Sequence, residues 1–181
     1  MAELAAKRLG ILHELIPAAG RVGVLIDPTF PESEQHDLET AARSIGLEIN
    51  VLNATNNRAI DAASAAFVRE RLDALYVASG PLFPNRRVHM VSLAMRHAIP
   101  AIYNVRQYPE VGGLISYGAS ITDAYRQMGV YTGRILMGAK PADLPVVQSN
   151  KLELVINAQT ARILGLTIPP SLLAIADEVI E

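Results

Sequence analysis

Arg21-Val22-Gly23-Val24-Leu25-Ile26-Asp27-Pro28 is a short, continuously apolar run stopped by an Asp-Pro pair. An apolar run of about four to eight residues between turn signals reads as a strand buried on both faces, the habit of strands in parallel sheets. Upstream, Ala5, Leu9, Leu12 and Ile16 recur at helical spacing, and Pro17 and Gly20 close that helix. Downstream, a helical period runs from about Pro31 to Ile45, where Gly46 stops it, and Leu47 to Leu52 returns to strand. Helix, strand, helix, strand around one buried run already points to an α/β protein.

The alternation continues to the end of the chain. Asn53 to Asn57 is a polar turn, Ile60, Ala63, Phe67 and Val68 mark one face of a helix ending near Leu72, and Ala74 to Ala78 is a third strand. Ser79-Gly80-Pro81 breaks the chain before a helix from about Pro84 to His97, which shows Val88, Val91 and Met95 on one side. Ile99 to Tyr103 and Gly112 to Tyr117 are further strands around a polar turn at Arg106 to Pro109. Ser120, with Asp123 three residues on, starts a helix that runs to Met137. A connector with Gly138, Pro141 and Pro145 leads to a strand at Leu152 to Ile156, and short helices at Ala158 to Leu164 and Ser171 to Val179 finish the chain.

The fold class that follows is α/β: a doubly wound, mostly parallel sheet with helices on both faces. Such sheets take ligands at the carboxyl ends of their strands. The loops to watch are therefore Asp27 to Phe30, Asn53 to Asn57, Ser79 to Phe83, Tyr103 to Tyr108 and Ser116 to Ala119, which should share one edge.

Composition narrows the function. Half of the 181 residues are apolar and 19% are charged, so the chain can bury a sizeable core, and disorder or a coiled coil describes it poorly. Sixteen basic against eighteen acidic residues leave a net charge of -2, with no block of like charge, which argues against nucleic acid or anionic membrane as partner. Zero cysteines remove thiol catalysis, disulfides and cysteine-held metals. No apolar stretch approaches the roughly 20 residues of a membrane helix. Glu3, Lys7, Arg8, His13 and Glu14 interrupt the first residues, so they do not read as an export signal.

The motifs carry little chemistry. A dinucleotide site needs glycines in the first strand-to-helix turn, and Ile26-Asp27-Pro28-Thr29-Phe30-Pro31 has none, while Glu32 and Glu34 would repel phosphate there. Asp27 stands alone where a receiver domain needs an acidic cluster, and Ser79 lacks the Gly-x-Ser-x-Gly setting of a nucleophile elbow. His13, His36, His89 and His97 are not spaced as helix-borne metal ligands. Gly129 and Gly133 allow close packing, most simply by a neighbouring helix. Arg86-Arg87 read as solvated, with a ligand carboxylate as the other role open to them. No catalytic residue, metal or cofactor is expected.

Three Phe and six Tyr are the only aromatics, and Phe30, Phe83, Tyr103, Tyr108 and Tyr117 fall in or beside the strand-end loops. Two readings stay open: rings lining a cleft for an apolar or ring-bearing solute, or rings plugging the end of the sheet.

Several stretches together resemble one family, the substrate-binding proteins of ABC transporters with the periplasmic-binding-protein-like I fold, in the branch that includes aromatic amino acid binders. They are Glu3-Leu4-Ala5-Ala6-Lys7-Arg8-Leu9, Arg21-Val22-Gly23-Val24-Leu25 with Asp27-Pro28, and Ile99-Pro100-Ala101-Ile102-Tyr103. The most specific are Gly112-Gly113-Leu114-Ile115-Ser116-Tyr117-Gly118, Gly138-Ala139-Lys140-Pro141-Ala142-Asp143-Leu144-Pro145, Lys151-Leu152-Glu153-Leu154-Val155-Ile156-Asn157 and the closing Leu164-Gly165-Leu166-Thr167-Ile168-Pro169-Pro170-Ser171-Leu172-Leu173.

The resemblance implies a two-lobed protein that binds a small organic solute, with an aromatic amino acid as the class that branch suggests, without chemistry, and hands it to an ABC permease. This chain resembles only the later part. By that likeness residues 1–20 are a crossover helix, 21–118 the α/β solute-binding lobe, and 119–181 a helix, strand and tail packing on the lobe or on a partner subunit. Solute contacts carried over by position are Asp27, Thr29, Ser79, Phe83, Tyr103, Ser116 and Tyr117. Location follows the family, periplasmic or cell-surface, or cytoplasmic if the chain is a whole gene product. The competing reading is an orphan α/β interaction domain that binds no solute. Ile121, Ala124, Tyr125, Met128, Thr132 and Ile135 share one side of the Ser120 helix, which leads to an expected homodimer with Tyr125, Met128 and Gly129 in its interface.

Overall fold

The computed structural model describes residues 2–29, 33–145 and 151–181. Its sheet is built from β1 (Arg21–Ile26), β2 (Glu48–Asn53), β3 (Ala74–Val77), β4 (Ala101–Tyr103), β5 (Ile115–Ala119), β6 (Leu152–Asn157) and β7 (Glu178–Ile180). They lie in the order β2-β1-β3-β4-β5-β6-β7. Every neighbouring pair is parallel except β5 and β6, which run antiparallel with Tyr117 opposite Leu154. The chain winds outward from β1 to β2, then crosses back to β3, so the switch in direction falls between β1 and β3.

Helices cover both faces, as the apolar strands require. On one side lie α1 (Ala2–Leu15) and α2 (Ser33–Ser44), whose Leu9, Leu12 and Leu38 share a core with Val22, Val24, Tyr76, Ile102 and Tyr117. On the other lie α3 (Asn57–Arg69) and α4 (Arg87–Arg96), whose Ile60, Phe67, Met90 and Val91 pack with Leu25, Val77, Phe83 and Tyr103. Alternate residues of one strand thus feed two separate cores, which is why the strands read as unbroken apolar runs. The helical stripe Ala5, Leu9 and Leu12 is buried as read, and Ile16 packs at its margin.

Three readings change. The expected closing helix Ser171 to Val179 ends early: after α6 (Ala158–Ile163), α7 (Pro170–Ile175) stops, and Glu178–Ile180 joins the sheet. Backbone bonds decide this, because the Asp177 N–H donates to the Leu154 carbonyl at 2.9 Å while its carboxylate accepts the Leu154 N–H at 2.8 Å. Gly112 ends a single 3-10 turn at Pro109–Val111 with φ of 97°, so the strand starts at Ile115 rather than at Gly112. The third concerns α5 (Ile121–Leu136), which follows its Ser120 cap as read but buries none of its residues. Apart from the backbone of α5 itself, no atom comes within 4 Å of where a Cβ on Gly129 or Gly133 would stand, so no helix among the described residues packs on them. Phe30, Pro31 and Glu32, and with them the expected start of α2 at Pro31, lie outside the described residues.

Candidate functional site at the strand ends

Because β1, β3, β4 and β5 run parallel, Asp27, Ser79, Asn104 and Ser120, the residues at or just beyond their carboxyl ends, come to one edge. At the switch point, Asp27 is 4% exposed, and its Oδ1 accepts both the Thr29 N–H at 3.0 Å and the Thr29 hydroxyl at 2.7 Å. Thr29 itself is exposed. Gly80 lets β1 and β3 end side by side: a Cβ there would stand 3.2 Å from the Asp27 Cβ and 3.6 Å from the Phe83 ring. Asp27 with its partner Thr29 and the buried ring of Phe83 thereby meet at Gly80, the residue that follows Ser79.

The β4 and β5 residues are divided by the sheet. Tyr103 pairs in register with Ser116 and faces the α3 and α4 side, while Tyr117 packs on the α1 side. Tyr103 is 1% exposed and stacks on Tyr108 with ring centroids 4.2 Å apart. The Ser116 hydroxyl is buried without a hydrogen-bond partner among the described residues. Lys7 Nζ sits 5.1 Å from the centre of the Tyr117 ring. Of the two roles open to the aromatics, Tyr103, Tyr108 and Phe83 occupy core positions at the end of the sheet.

Two polar groupings went unread in the sequence. The first joins Arg8, Glu34 and Tyr76: Arg8 Nη1 lies 3.2 Å from Glu34 Oε1 and 2.7 Å from Tyr76 Oη, and Glu34 Oε2 accepts the Ser79 N–H at 3.0 Å. Its signal was available, since Arg8 stands four residues before Leu12, within the buried stripe of α1. The second centres on Arg106, which reaches Glu110 and Glu178 at 2.7 Å and Glu153 at 3.5 Å. Beside it a hollow of about 230 Å³ opens between Arg106, Ser120, Asp123, Arg126, Lys151 and Glu153. Arg126 bonds Asp123 at 2.8 Å and holds that carboxyl below its ordinary range, chiefly through this hydrogen bond. Glu153 Oε1 has no partner among the described residues.

The model of the ABC transporter substrate binding protein family matches residues 2–180. The chain belongs to that family. Among solved structures of similar fold, a conserved domain protein from Vibrio cholerae is 25% identical, with a TM-score of 0.83, over 97% of this chain and 60% of its own. A Streptococcus pneumoniae ABC domain solved in complex with L-Trp is 26% identical, with a TM-score of 0.83, over 98% of this chain and 60% of its own. A ligand-free, open substrate binding protein with adhesive properties from Clostridium difficile shares the fold at 21% identity and a TM-score of 0.67, over 96% of this chain and 59% of its own. No curated protein sequence matches the chain. This chain spans about 60% of the length of these solved relatives.

Proposed function

We propose that this chain is the solute-binding lobe of an ABC importer's substrate-binding protein, taking a small organic solute, with an aromatic amino acid as the leading class, and carrying out no reaction on it. The observation that carries the reading is the family match along residues 2–180, on a fold whose switch-point edge brings Asp27 and Thr29 to Gly80 above the buried Phe83. The L-Trp complex of the similar Streptococcus pneumoniae domain supports the solute class. Solute contacts are Asp27, Thr29 and Ser79 directly, with Ser116 and Tyr117 further along the edge and Phe83 and Tyr103 as the buried floor. Residues 21–118 form the binding lobe, residues 1–20 and 119–181 flank it, the permease of the importer is the protein partner, and the site of action is periplasmic or at the cell surface. Among the described residues no helix is long and apolar enough to cross a membrane.

Thermal unfolding in the presence of single amino acids tests the reading. A ligand at about 100 times its Kd stabilises the fold by about 2.7 kcal/mol. L-tryptophan, L-tyrosine or L-phenylalanine should raise the transition where L-aspartate and L-lysine do not. Absence of any shift across amino acids and other small organic solutes would favour the binding-free interaction domain instead.

A further inference from the structure

One carboxylate gathers the buried polar groups at the β1 and β3 end of the sheet. Arg8, on α1, is 2% exposed. Two contacts hold its guanidinium in place independently of Glu34: Nε donates to the Tyr117 carbonyl at 2.9 Å, and the Tyr76 ring lies 5.2 Å from its central carbon. Nη1 then points to Glu34 Oε1 at 3.2 Å and to Tyr76 Oη at 2.7 Å. The Tyr76 hydroxyl donates to the same Oε1 at 3.0 Å, and the Ser79 N–H donates to Oε2 at 3.0 Å.

The donors and the acceptor have different origins. Arg8, Tyr76 and Ser79 belong to α1, β3 and the residue region just beyond β3, the framework of the lobe. Glu34 arrives from the first turn of α2, and its side chain is 16% exposed against 2% for Arg8, so the carboxylate is the end of the network that reaches solvent. A buried cation left alone is strongly destabilising, so only another anion can replace Glu34. A cation, a phenol and a backbone N–H converging on two oxygens are the donor set of carboxylate recognition. Ser79 also stands at the switch point, where open α/β sheets take their ligands.

We infer that Arg8 Nη1, Tyr76 Oη and the Ser79 N–H form a carboxylate seat that the chain's own Glu34 fills, and that a solute bearing a carboxylate takes Glu34's place on binding. The solute part of this inference rests on the binding function proposed above, and the seat itself does not. Self-occupancy lowers the apparent affinity by the fraction of time the seat is free, so removing Glu34 should tighten carboxylate binding. Displacement would also release the first turn of α2, which ties solute capture to a local rearrangement of the edge.

The full chain with Glu34→Ala tests the seat with acetate as probe. Sodium acetate at about 50 mM, against equal sodium chloride, should raise the melting temperature of Glu34→Ala by a few degrees. It should leave the wild type and the Arg8→Met/Glu34→Ala double variant unchanged. An equal response in wild type and Glu34→Ala, or a response retained in the double variant, overturns the seat. Should Glu34→Ala not fold, Glu34→Gln keeps the shape and loses the charge, and the same comparison applies. For the solute, L-tryptophan should bind Glu34→Ala about tenfold or more tighter than wild type, while tryptamine, which lacks the carboxylate, should not change. Acetate acting on Glu34→Ala with no amino acid binding to any variant leaves the seat standing and rejects the amino acid solute. L-tryptophan binding wild type and Glu34→Ala equally leaves the solute standing and rejects displacement of Glu34 by it.

Discussion

The ring of Tyr103 lies on the ring of Tyr108, centroids 4.2 Å apart and planes 9° from parallel. Gly113 makes this possible, since a Cβ there would stand 2.9 Å from the Tyr103 ring and 2.8 Å from the Tyr108 carbonyl oxygen. The pair closes the core between β4 and α4, and the Tyr108 hydroxyl is buried with no partner among the described residues. A buried, unpartnered hydroxyl contributes nothing to balance its lost hydration. Tyr108→Phe should therefore be neutral or stabilising by up to about 1 kcal/mol, whereas Tyr108→Ala should cost about 3–5 kcal/mol through the cavity it leaves. Urea unfolding of both variants decides it, and a loss above about 1.5 kcal/mol for Tyr108→Phe would mean that the hydroxyl is satisfied.

Alkaline pH should weaken the fold. Burial pushes the phenols of Tyr76, Tyr103 and Tyr108 above their ordinary value of 10.0, with Arg8 opposing and Glu34 adding to the effect at Tyr76. The folded protein then keeps protons that the unfolded chain releases near pH 10. This contribution is complete below about pH 10 and is lost progressively as the pH rises above it. The urea midpoint should fall between about pH 9 and 11, with tyrosinate absorbance from these three rings developing only as the chain unfolds. A midpoint that stays flat across this range would contradict the buried placement.

Glycine matters very differently at two positions. A Cβ on Gly118 would run into the Asn104 backbone carbonyl, and backbone cannot swing aside as a side chain can. Gly118→Ala should destabilise by more than about 3 kcal/mol, because β4 and β5 must part at the candidate edge to admit the methyl group. Gly10, inside α1, has nothing within 4 Å of its would-be Cβ. Gly10→Ala should stabilise by roughly 0.5–1 kcal/mol, the ordinary helix preference. Circular dichroism melts of the two variants should move in opposite directions.

The exposed side of α5 leads to an assembly test. Tyr125 and Met128 are 68% and 62% exposed, and Leu136 is 83% exposed. A homodimer that covers Tyr125, Met128 and Gly129 is the proposed remedy for this apolar side. Sedimentation equilibrium at high micromolar concentration should show twice the 19.5 kDa chain mass, falling to the monomer in Met128→Asp. A wild-type mass of one chain rejects the dimer, and a dimer that persists in Met128→Asp rejects this interface.

The sequence by itself determined the α/β class, the positions of the first six strands along the chain, the Ser120 cap and the shared edge of the strand-end loops. It could do so because buried parallel strands, helical stripes and their Gly and Pro stops are local patterns, written within about ten residues of one another. Motifs such as Ile115-Ser116-Tyr117-Gly118 and Lys151-Leu152-Glu153-Leu154 likewise sufficed to point to the family that the match over residues 2–180 established. What needed the tertiary structure was everything that depends on partners distant along the chain. Glu178–Ile180 is a strand only because β6 lies beside it to accept the pairing, and its short run carries no period long enough to say so. Tyr103 and Tyr117 both carry over by position as solute contacts, yet strand register sends them to opposite faces of the sheet. Arg8, Glu34, Tyr76 and Ser79 come together across up to 71 positions of chain only when α1, α2 and β3 pack, so no spacing rule could have joined them. Hydrogen bonds and buried charges are satisfied in space, and the fold alone sets which groups are near enough to satisfy them.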